Sequence, residues 1–195
     1  TVNTVPVNND LATAYVGVND ILAGEVAMQI MADALGGKGT VNVILGLLGH
    51  PASENRWTGM QNVLKNYPDI KIAASQPADW DRAKAMAVTE DWISSGNKFD
   101  GIIACNDEMA ISAAHALSAA NVEGVKIVGV DAIDEALALV KSGKMTGTVF
   151  QDAVSQGRGS LDIALAAVLG MEIEKEYVIP FQSVTKDNVD DYLSK

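Results

Sequence analysis

Short runs rich in valine and isoleucine alternate along this chain with longer segments whose apolar residues recur at helical spacing. For example, the run at residues 40–45 precedes a helical stripe at 56–64, and the run at 101–105 precedes one at 109–119. Short apolar runs are typical of strands buried on both faces, and a helix between two such strands connects them in parallel. The alternation therefore predicts an α/β fold, a doubly wound parallel sheet with helices on both faces.

The same pattern locates the individual elements. The predicted strands are residues 14–18, 40–45, 70–74, 101–105, 125–130, 145–150 and 177–180. The predicted helices are residues 21–35, 56–64, 83–93, 109–119, 135–140 and 157–169. A doubly wound sheet normally starts with a complete βα unit, whereas this chain opens on strand-like residues 1–4 and a polar loop. We therefore expect that an upstream segment belongs to the same fold.

Charge and cysteine content narrow the function classes. The formal charge is −11 at pH 7, with the acidic residues scattered along the chain, which argues against nucleic acid and anionic membranes as partners. Cys105 is the only cysteine, so no intrachain disulfide is expected. Because it follows an apolar run, we expect a buried, structural thiol.

Polar side chains follow three successive predicted strands. They are Asn106, Asp131 and Gln151. Ligands of open α/β sheets bind at the carboxyl ends of the strands. A single polar residue there is often a helix cap, and Asp107 or Asp134 are also candidates to cap the next helices. Three in succession favour a ligand site.

Two further side chains are expected at the same rim of the sheet. Arg56 follows the loop 46–54 near the start of a helix, although it could instead pair with Glu54 on the surface. Trp80 precedes a helix that begins near Asp81, and its ring could serve packing alone.

Together these residues suit a polyol. Each hydroxyl group both donates and accepts, and the set offers a carboxylate, a guanidinium, two amides and a flat apolar face. Catalytic and metal sites are less well supported: Cys105 and His115 lack an orienting acid, and His50 with Glu54 gives only two metal ligands. The sequence thus predicts no enzyme activity, no cofactor and no metal.

Six motifs in sequence order carry a family resemblance. They are Tyr15-Val-Gly-Val-Asn-Asp20, Gln76-Pro-Ala-Asp-Trp-Asp-Arg82, Asn106-Asp-Glu-Met-Ala110, Val128-Gly-Val-Asp131, Thr148-Val-Phe-Gln151 and Val184-Thr-Lys-Asp-Asn-Val189. With them the chain resembles, essentially end to end, the periplasmic sugar-binding proteins of the ribose-binding type. These are soluble receptors of ABC importers with the type I periplasmic-binding-protein fold.

The resemblance implies a ligand site. The family's hydrogen-bonding positions correspond to Arg56, Asn106, Asp131 and Gln151, and its stacking aromatic corresponds to Trp80. Ribose receptors carry an acidic residue followed by arginine where this chain has Asn3-Thr4, so Asn3 brings no charge to the site. A hexose, a deoxy sugar or a cyclitol such as inositol is therefore expected rather than ribose.

The resemblance also implies a domain organisation that lacks most of the first lobe. Residues 1–18 would be a remnant of that lobe with a hinge crossing, 19–150 the second lobe, 151–181 a first-lobe helix and strand, and 182–195 the return crossing with a tail on the second lobe. An apolar surface should then be exposed where the missing N-terminal segment, or another chain, would pack.

The leading hypothesis is a receptor that closes two lobes on a sugar or cyclitol and delivers it to the membrane subunits of an ABC permease. Such a receptor is periplasmic, or lipid-anchored outside a Gram-positive cell. The alternative is the effector-binding core of a lactose-repressor-type regulator, which has the same fold. The codons upstream would distinguish a secretion signal from a DNA-binding helix-turn-helix.

Overall fold

The computed structural model describes residues 1–4 and 9–193, and this part of the chain divides into two compact units. The smaller unit comprises residues 1–19 and 151–181, and the larger comprises residues 20–150 and 182–195. The helices are α1 (Asp20–Ala34), α2 (Pro51–Leu64), α3 (Arg82–Ser94), α4 (Asp107–Ala119), α5 (Asp134–Ser142) and α6 (Ala153–Val168). The strands are β1 (Val2–Asn3), β2 (Tyr15–Gly17), β3 (Lys38–Leu45), β4 (Asp69–Pro77), β5 (Gly101–Ala104), β6 (Lys126–Val128), β7 (Gly147–Phe150), β8 (Glu176–Val178) and β9 (Gln182–Thr185).

The larger unit is built on a six-stranded sheet with the order β4-β3-β5-β6-β7-β9. All neighbouring strands are parallel except β7 and β9, which are antiparallel. The order reverses between β3 and β5, because the chain moves outward to β4 after β3 and then returns to β5 on the other side. Such a switch point leaves a crevice at the carboxyl ends of the two strands, where ligands of this fold class bind.

Helices cover both faces of this sheet. Right-handed crossovers place α2, between β3 and β4, on the opposite face from α4, between β5 and β6. α1 packs on α2 and contacts β5, β6, β7 and β9, whereas α4 contacts β5, β6, α3 and α5. The strands between the two layers are accordingly apolar, and Val41, Val43, Ile102, Ile103 and Val128 are fully buried.

The smaller unit contains a three-stranded parallel sheet with the order β1-β2-β8, against which α6 packs. One side of α6 remains exposed and carries apolar side chains. Leu161 is 72% exposed, Leu165 59% and Val168 84%. Within the described residues, none of the helices has the length and apolar character of a membrane-spanning segment.

The predicted α/β fold is confirmed, and each predicted strand and helix overlaps an observed one. One local prediction is wrong, and one strand was missed. α2 begins at Pro51, five residues before Arg56, because proline suits the first helical position and the His50 imidazole caps the helix by accepting from the Ala52 N–H at 3.2 Å. Strand β9 was not predicted, since it is four residues long and polar at three of them.

Candidate functional site

Arg56 is the centre of a polar cluster at the switch point. It lies within α2 and is only 5% exposed. Its Nε donates to the Asp20 carboxylate at 2.9 Å, and its Nη1 donates to the carbonyl of Cys105 at 2.5 Å. The alternative in which Arg56 pairs with Glu54 on the surface is therefore wrong, because the guanidinium is directed inward and is paired with the first residue of α1. The Asp20 partner was missed in the sequence, since it depends on how two helices pack.

The close packing of α1 against α2 positions Asp20 beside Arg56. A Cβ atom on Gly24 would lie 1.9 Å from the carbonyl oxygen of Arg56, and one on Gly59 would lie 2.0 Å from that of Ile21. Neither position has room for a side chain, so the two helix backbones approach until they touch. The approach brings Asp20 within hydrogen-bonding distance of Arg56.

Trp80 flanks the same cluster from the loop between β4 and α3. Its indole is half-buried and lies against Gly46, where an added Cβ would be 2.2 Å from the ring. The ring of His50 meets it edge-on at a centroid distance of 5.6 Å, and the guanidinium carbon of Arg56 lies 5.9 Å from its centre. The backbone of Trp80 has φ of 66°, and Asp81 follows as the N-cap of α3. Trp80 thus lies beside Arg56, and its contacts with Gly46 and His50 show that the ring also serves packing.

Asn106 is at the carboxyl end of β5 and is the N-cap of α4. Its side-chain oxygen accepts from the Met109 N–H at 3.1 Å. The prediction that Asp107 or Asp134 caps the next helix is wrong, because α4 is capped by Asn106, and α5 begins after Ile133 without a side-chain cap. Capping and a ligand role are compatible for Asn106, since the cap engages the oxygen and leaves the NH₂ group as the donor.

Asp131 follows β6 and faces Arg56, with its Oδ1 4.0 Å from Nη1. Its side chain is 30% exposed. Burial raises the pKa of this carboxyl to about 6, against the opposing effect of Arg56, while Asp20 and Glu108 raise it further. The carboxylate is therefore a strong acceptor that the guanidinium neutralises only in part.

Asp107 lies behind this carboxylate and was not predicted as part of the site. It is fully buried, accepts from the Thr148 hydroxyl at 2.7 Å and from the Ile133 N–H at 3.0 Å. Burial raises the pKa of Asp107 to about 7, and the hydrogen bond from Thr148 opposes that shift. The sequence signal that could have identified Asp107 is its position directly after Asn106, in a motif at the end of a strand.

Asn3 and Gln151, the remaining predicted ligand residues, lie in the smaller unit. The Gln151 Nε2 donates to the Asn3 Oδ1 at 2.8 Å, so the structure brings these two together. Arg56, Trp80 and Asp131 form a separate group in the larger unit, where Asn106 lies at the end of β5.

The described residues give little support for a nucleophilic cysteine or a metal site. Cys105 is buried as expected, and burial raises the pKa of its thiol to about 11, which disfavours the reactive thiolate. Among residues 1–4 and 9–193, no three histidine, cysteine or carboxylate side chains cluster as metal ligands would.

The fold, its switch point and the cluster there accord with a known family. Residues 1–172 match the periplasmic binding protein domain family. The chain belongs to this family. The resemblance found in the sequence motifs is thereby confirmed.

The relatives of this chain include solute-binding proteins. The chain is 42% identical over 190 residues to the xylitol-binding protein of Mycolicibacterium smegmatis, covering 97% of this chain and 54% of the relative. It is 39% identical over 201 residues to a putative rhizopine-binding protein of Rhizobium meliloti, covering 100% and 65%. It also matches the crystal structure of an ABC transporter solute-binding protein from Bacillus halodurans with bound myo-inositol, with a TM-score of 0.95, 35% identity, and coverage of 99% and 67%.

The chain spans about half to two-thirds of the length of the curated relatives described above. Their remaining length has no counterpart in this sequence.

Proposed function

We propose that this chain is part of a solute-binding receptor of a bacterial ABC importer and that its larger unit supplies one half of a site for a small sugar or polyol. The observation that carries the proposal is the buried Arg56, held by Asp20 and the Cys105 carbonyl beside the Asp131 carboxylate. A guanidinium fixed in this way is a ready donor at the switch point of the sheet. The larger unit would be the second lobe, and the smaller unit part of the first.

The chemistry of the cluster suits hydroxyl groups. Asp131 can accept from one hydroxyl while Arg56 and the Asn106 NH₂ donate to the oxygens of others. The indole of Trp80 supplies a flat apolar surface for the C–H face of a ring. A ligand with several adjacent hydroxyls satisfies all of these groups at once, whereas an apolar ligand would displace water from the partly exposed Asp131 carboxylate without replacing its hydrogen bonds.

The proposed ligand is a cyclitol, a linear polyol or a hexose. Support comes from relatives whose names or bound ligands are xylitol, rhizopine and myo-inositol. The neutral Asn3 supports the same choice over ribose, because ribose receptors by resemblance carry a charged pair there. Asn3 and Gln151 stay predictions as ligand residues.

A first-lobe segment is the proposed partner within the receptor. The apolar side chains exposed on α6 support it, since exposed patches of this kind mark surfaces that another segment covers. The longer relatives support it as well. The whole receptor would lie in the periplasm, or outside a Gram-positive cell on a lipid anchor, and would pass its ligand to the permease subunits.

We propose binding without catalysis. The high pKa of the buried Cys105 thiol and the membership in a binding-protein family support this. Incubation of myo-inositol and xylitol with the protein, followed by chromatography, should return both compounds unchanged. A new product that disappears when Asp131 is replaced by asparagine would contradict the proposal.

Calorimetry tests the proposed function. The 195-residue chain and a whole receptor with its first lobe restored are titrated with myo-inositol, xylitol, D-allose and D-ribose. The whole receptor should bind at least one of the first three and bind ribose more weakly, whereas the chain alone should bind weakly or undetectably. Micromolar binding by the chain alone would show that the first lobe is unnecessary, and a whole receptor that binds none of them would contradict the function.

A pair of arginine variants gives the matched control. Arg56→Lys keeps the charge but loses the forked donors, so affinity should fall by about tenfold or more. Arg82 lies on the surface, where it pairs with Glu108 and Glu135. Arg82→Lys should leave affinity unchanged.

A further inference from the structure

The turn that carries Asp131 has an unusual backbone. Asp131 has φ of 130° and Ala132 has φ of 60°, a region that residues with side chains seldom adopt. Such conformations persist only where the surrounding structure fixes them, and they cluster at functional sites. The contacts that hold this turn therefore determine where the Asp131 carboxylate points.

Two buried side chains contribute contacts, in addition to the backbone hydrogen bond from the Asp131 N–H to the Val149 carbonyl at 2.8 Å. The Asp107 carboxylate accepts from the Ile133 N–H at 3.0 Å, and the Thr148 hydroxyl accepts from the Ala132 N–H at 3.3 Å. The Thr148 hydroxyl in turn donates to Asp107 at 2.7 Å. Two consecutive amides of the turn are thus bound by one hydrogen-bonded pair from α4 and β7.

The residues just before the turn pack closely against the Asp107 carboxylate. A Cβ atom at Gly129 would lie 2.1 Å from the Asp107 Oδ1 and 3.0 Å from the Ala110 Cβ. The backbone N–H of Asp107 also donates to the Val130 carbonyl at 2.7 Å. Asp107 therefore contacts the chain both before and after Asp131.

We propose that Asp107 and Thr148 are positioning residues that fix the turn at 130–133 and so direct the Asp131 carboxylate toward the ligand. Neither residue needs to touch the ligand for this role. The relevance to the ligand rests on the proposed function, whereas the effect on the turn rests on the hydrogen bonds alone.

Protonation of Asp107 should also affect the turn. The charged group that acts on Asp107 is Asp131, which is itself influenced by Arg56 from α2, Asp20 from α1 and Glu108 from α4. The pKa of Asp107, raised to about 7 by burial, lies within the physiological range. A neutral carboxyl is a weaker acceptor than a carboxylate. The hydrogen bond from the Ile133 N–H to the Asp107 side chain should therefore weaken as the pH falls below 7.

Amide exchange measured by NMR on the whole 195-residue chain tests the positioning role without any ligand. Thr148→Val removes the hydroxyl at nearly constant volume and should speed exchange of the Ala132 and Ile133 amides by about tenfold, the effect of roughly one hydrogen bond. Thr148→Ser should restore slow exchange. Thr58→Val, on the exposed part of α2, is the matched control and should change neither amide.

Carbon NMR of the aspartate carboxyls gives a second readout. The titration midpoint of Asp131 should shift in Thr148→Val and should be unchanged in Thr58→Val. Asp107→Asn should abolish the inflection near pH 7 in the Ile133 amide shift. Wild-type exchange and an unchanged Asp131 midpoint in Thr148→Val would overturn the proposal.

A titration with myo-inositol separates this proposal from the proposed function. In the whole receptor with its first lobe restored, Thr148→Val should weaken binding of the polyol by about tenfold relative to the unaltered receptor. Equal binding by the two proteins would overturn the positioning role. If neither this chain nor the whole receptor responds to any polyol, the proposed function fails, and the exchange result still decides whether Asp107 and Thr148 hold the turn.

Discussion

The guanidinium carbon of Arg56 lies 5.9 Å from the centre of the Trp80 indole. At that distance a cation and a ring attract each other by about 0.5–1 kcal/mol. The contact joins α2 to the loop before α3, two segments that are separate in the sequence. It also places the flat surface of the proposed site beside the guanidinium group.

Replacing Arg56 by methionine should destabilise the protein by about 3 kcal/mol or more, because the largely buried Asp20 carboxylate would lose its partner. Urea unfolding followed by circular dichroism measures the change. Arg82→Met removes an exposed arginine and should cost no more than about 1 kcal/mol. Equal losses in the two variants would show that the Arg56–Asp20 pair is not a structural contact.

Replacing Gly46 by alanine should displace the Trp80 indole, since the new Cβ would lie 2.2 Å from the ring. We expect a loss of about 1–3 kcal/mol of stability together with weaker polyol binding by the whole receptor. Gly157→Ala is the control, because a Cβ there meets no atom within 4 Å in an exposed part of α6. It should stabilise the helix by about 0.5–1 kcal/mol and leave binding unchanged.

The free energy of unfolding should fall as the pH rises from about 5 to 7. The folded-state pKa values of Asp107 and Asp131 are raised to about 7 and about 6, above the ordinary value of 3.8, so the folded protein holds these protons more tightly than the unfolded chain. Their contribution is complete below about pH 4 and is lost by about pH 6 for Asp131 and pH 7 for Asp107.

Each group contributes a slope of at most about 1.4 kcal/mol per pH unit. Urea unfolding at several pH values measures the slope, and Asp107→Asn should flatten it between pH 6 and 7. Stability that rises steadily over this range would contradict the shifted pKa values.

The exposed apolar side of α6 should drive self-association of this chain in the absence of a covering segment. Replacing Leu161 and Leu165 together by lysine should reduce association in sedimentation velocity, with little change in stability because both side chains are exposed. Leu48→Lys, an exposed leucine of the larger unit, is the control and should leave association unchanged. If the double variant at Leu161 and Leu165 associates as strongly as the unaltered chain, another surface is responsible.

Hydrophobic patterning was sufficient to predict the fold, because buried parallel strands and amphipathic helices leave different periods in the sequence. It also placed Asn106 and Asp131 at strand ends. The partner of Arg56 could not be predicted in this way, since Asp20 is 36 residues distant and is brought close only by the packing of two helices. The turn at Asp131 was hidden for a similar reason: its conformation depends on Asp107 and Thr148, which come from other elements.

The helix crossing at Gly24 and Gly59 has a consequence for how recognition could change during evolution. A larger residue at either position would separate α1 from α2 and move the arginine relative to the acid and the indole. If the proposed function holds, selectivity would depend partly on backbone spacing, and a survey confined to the side chains of the cluster would overlook that dependence.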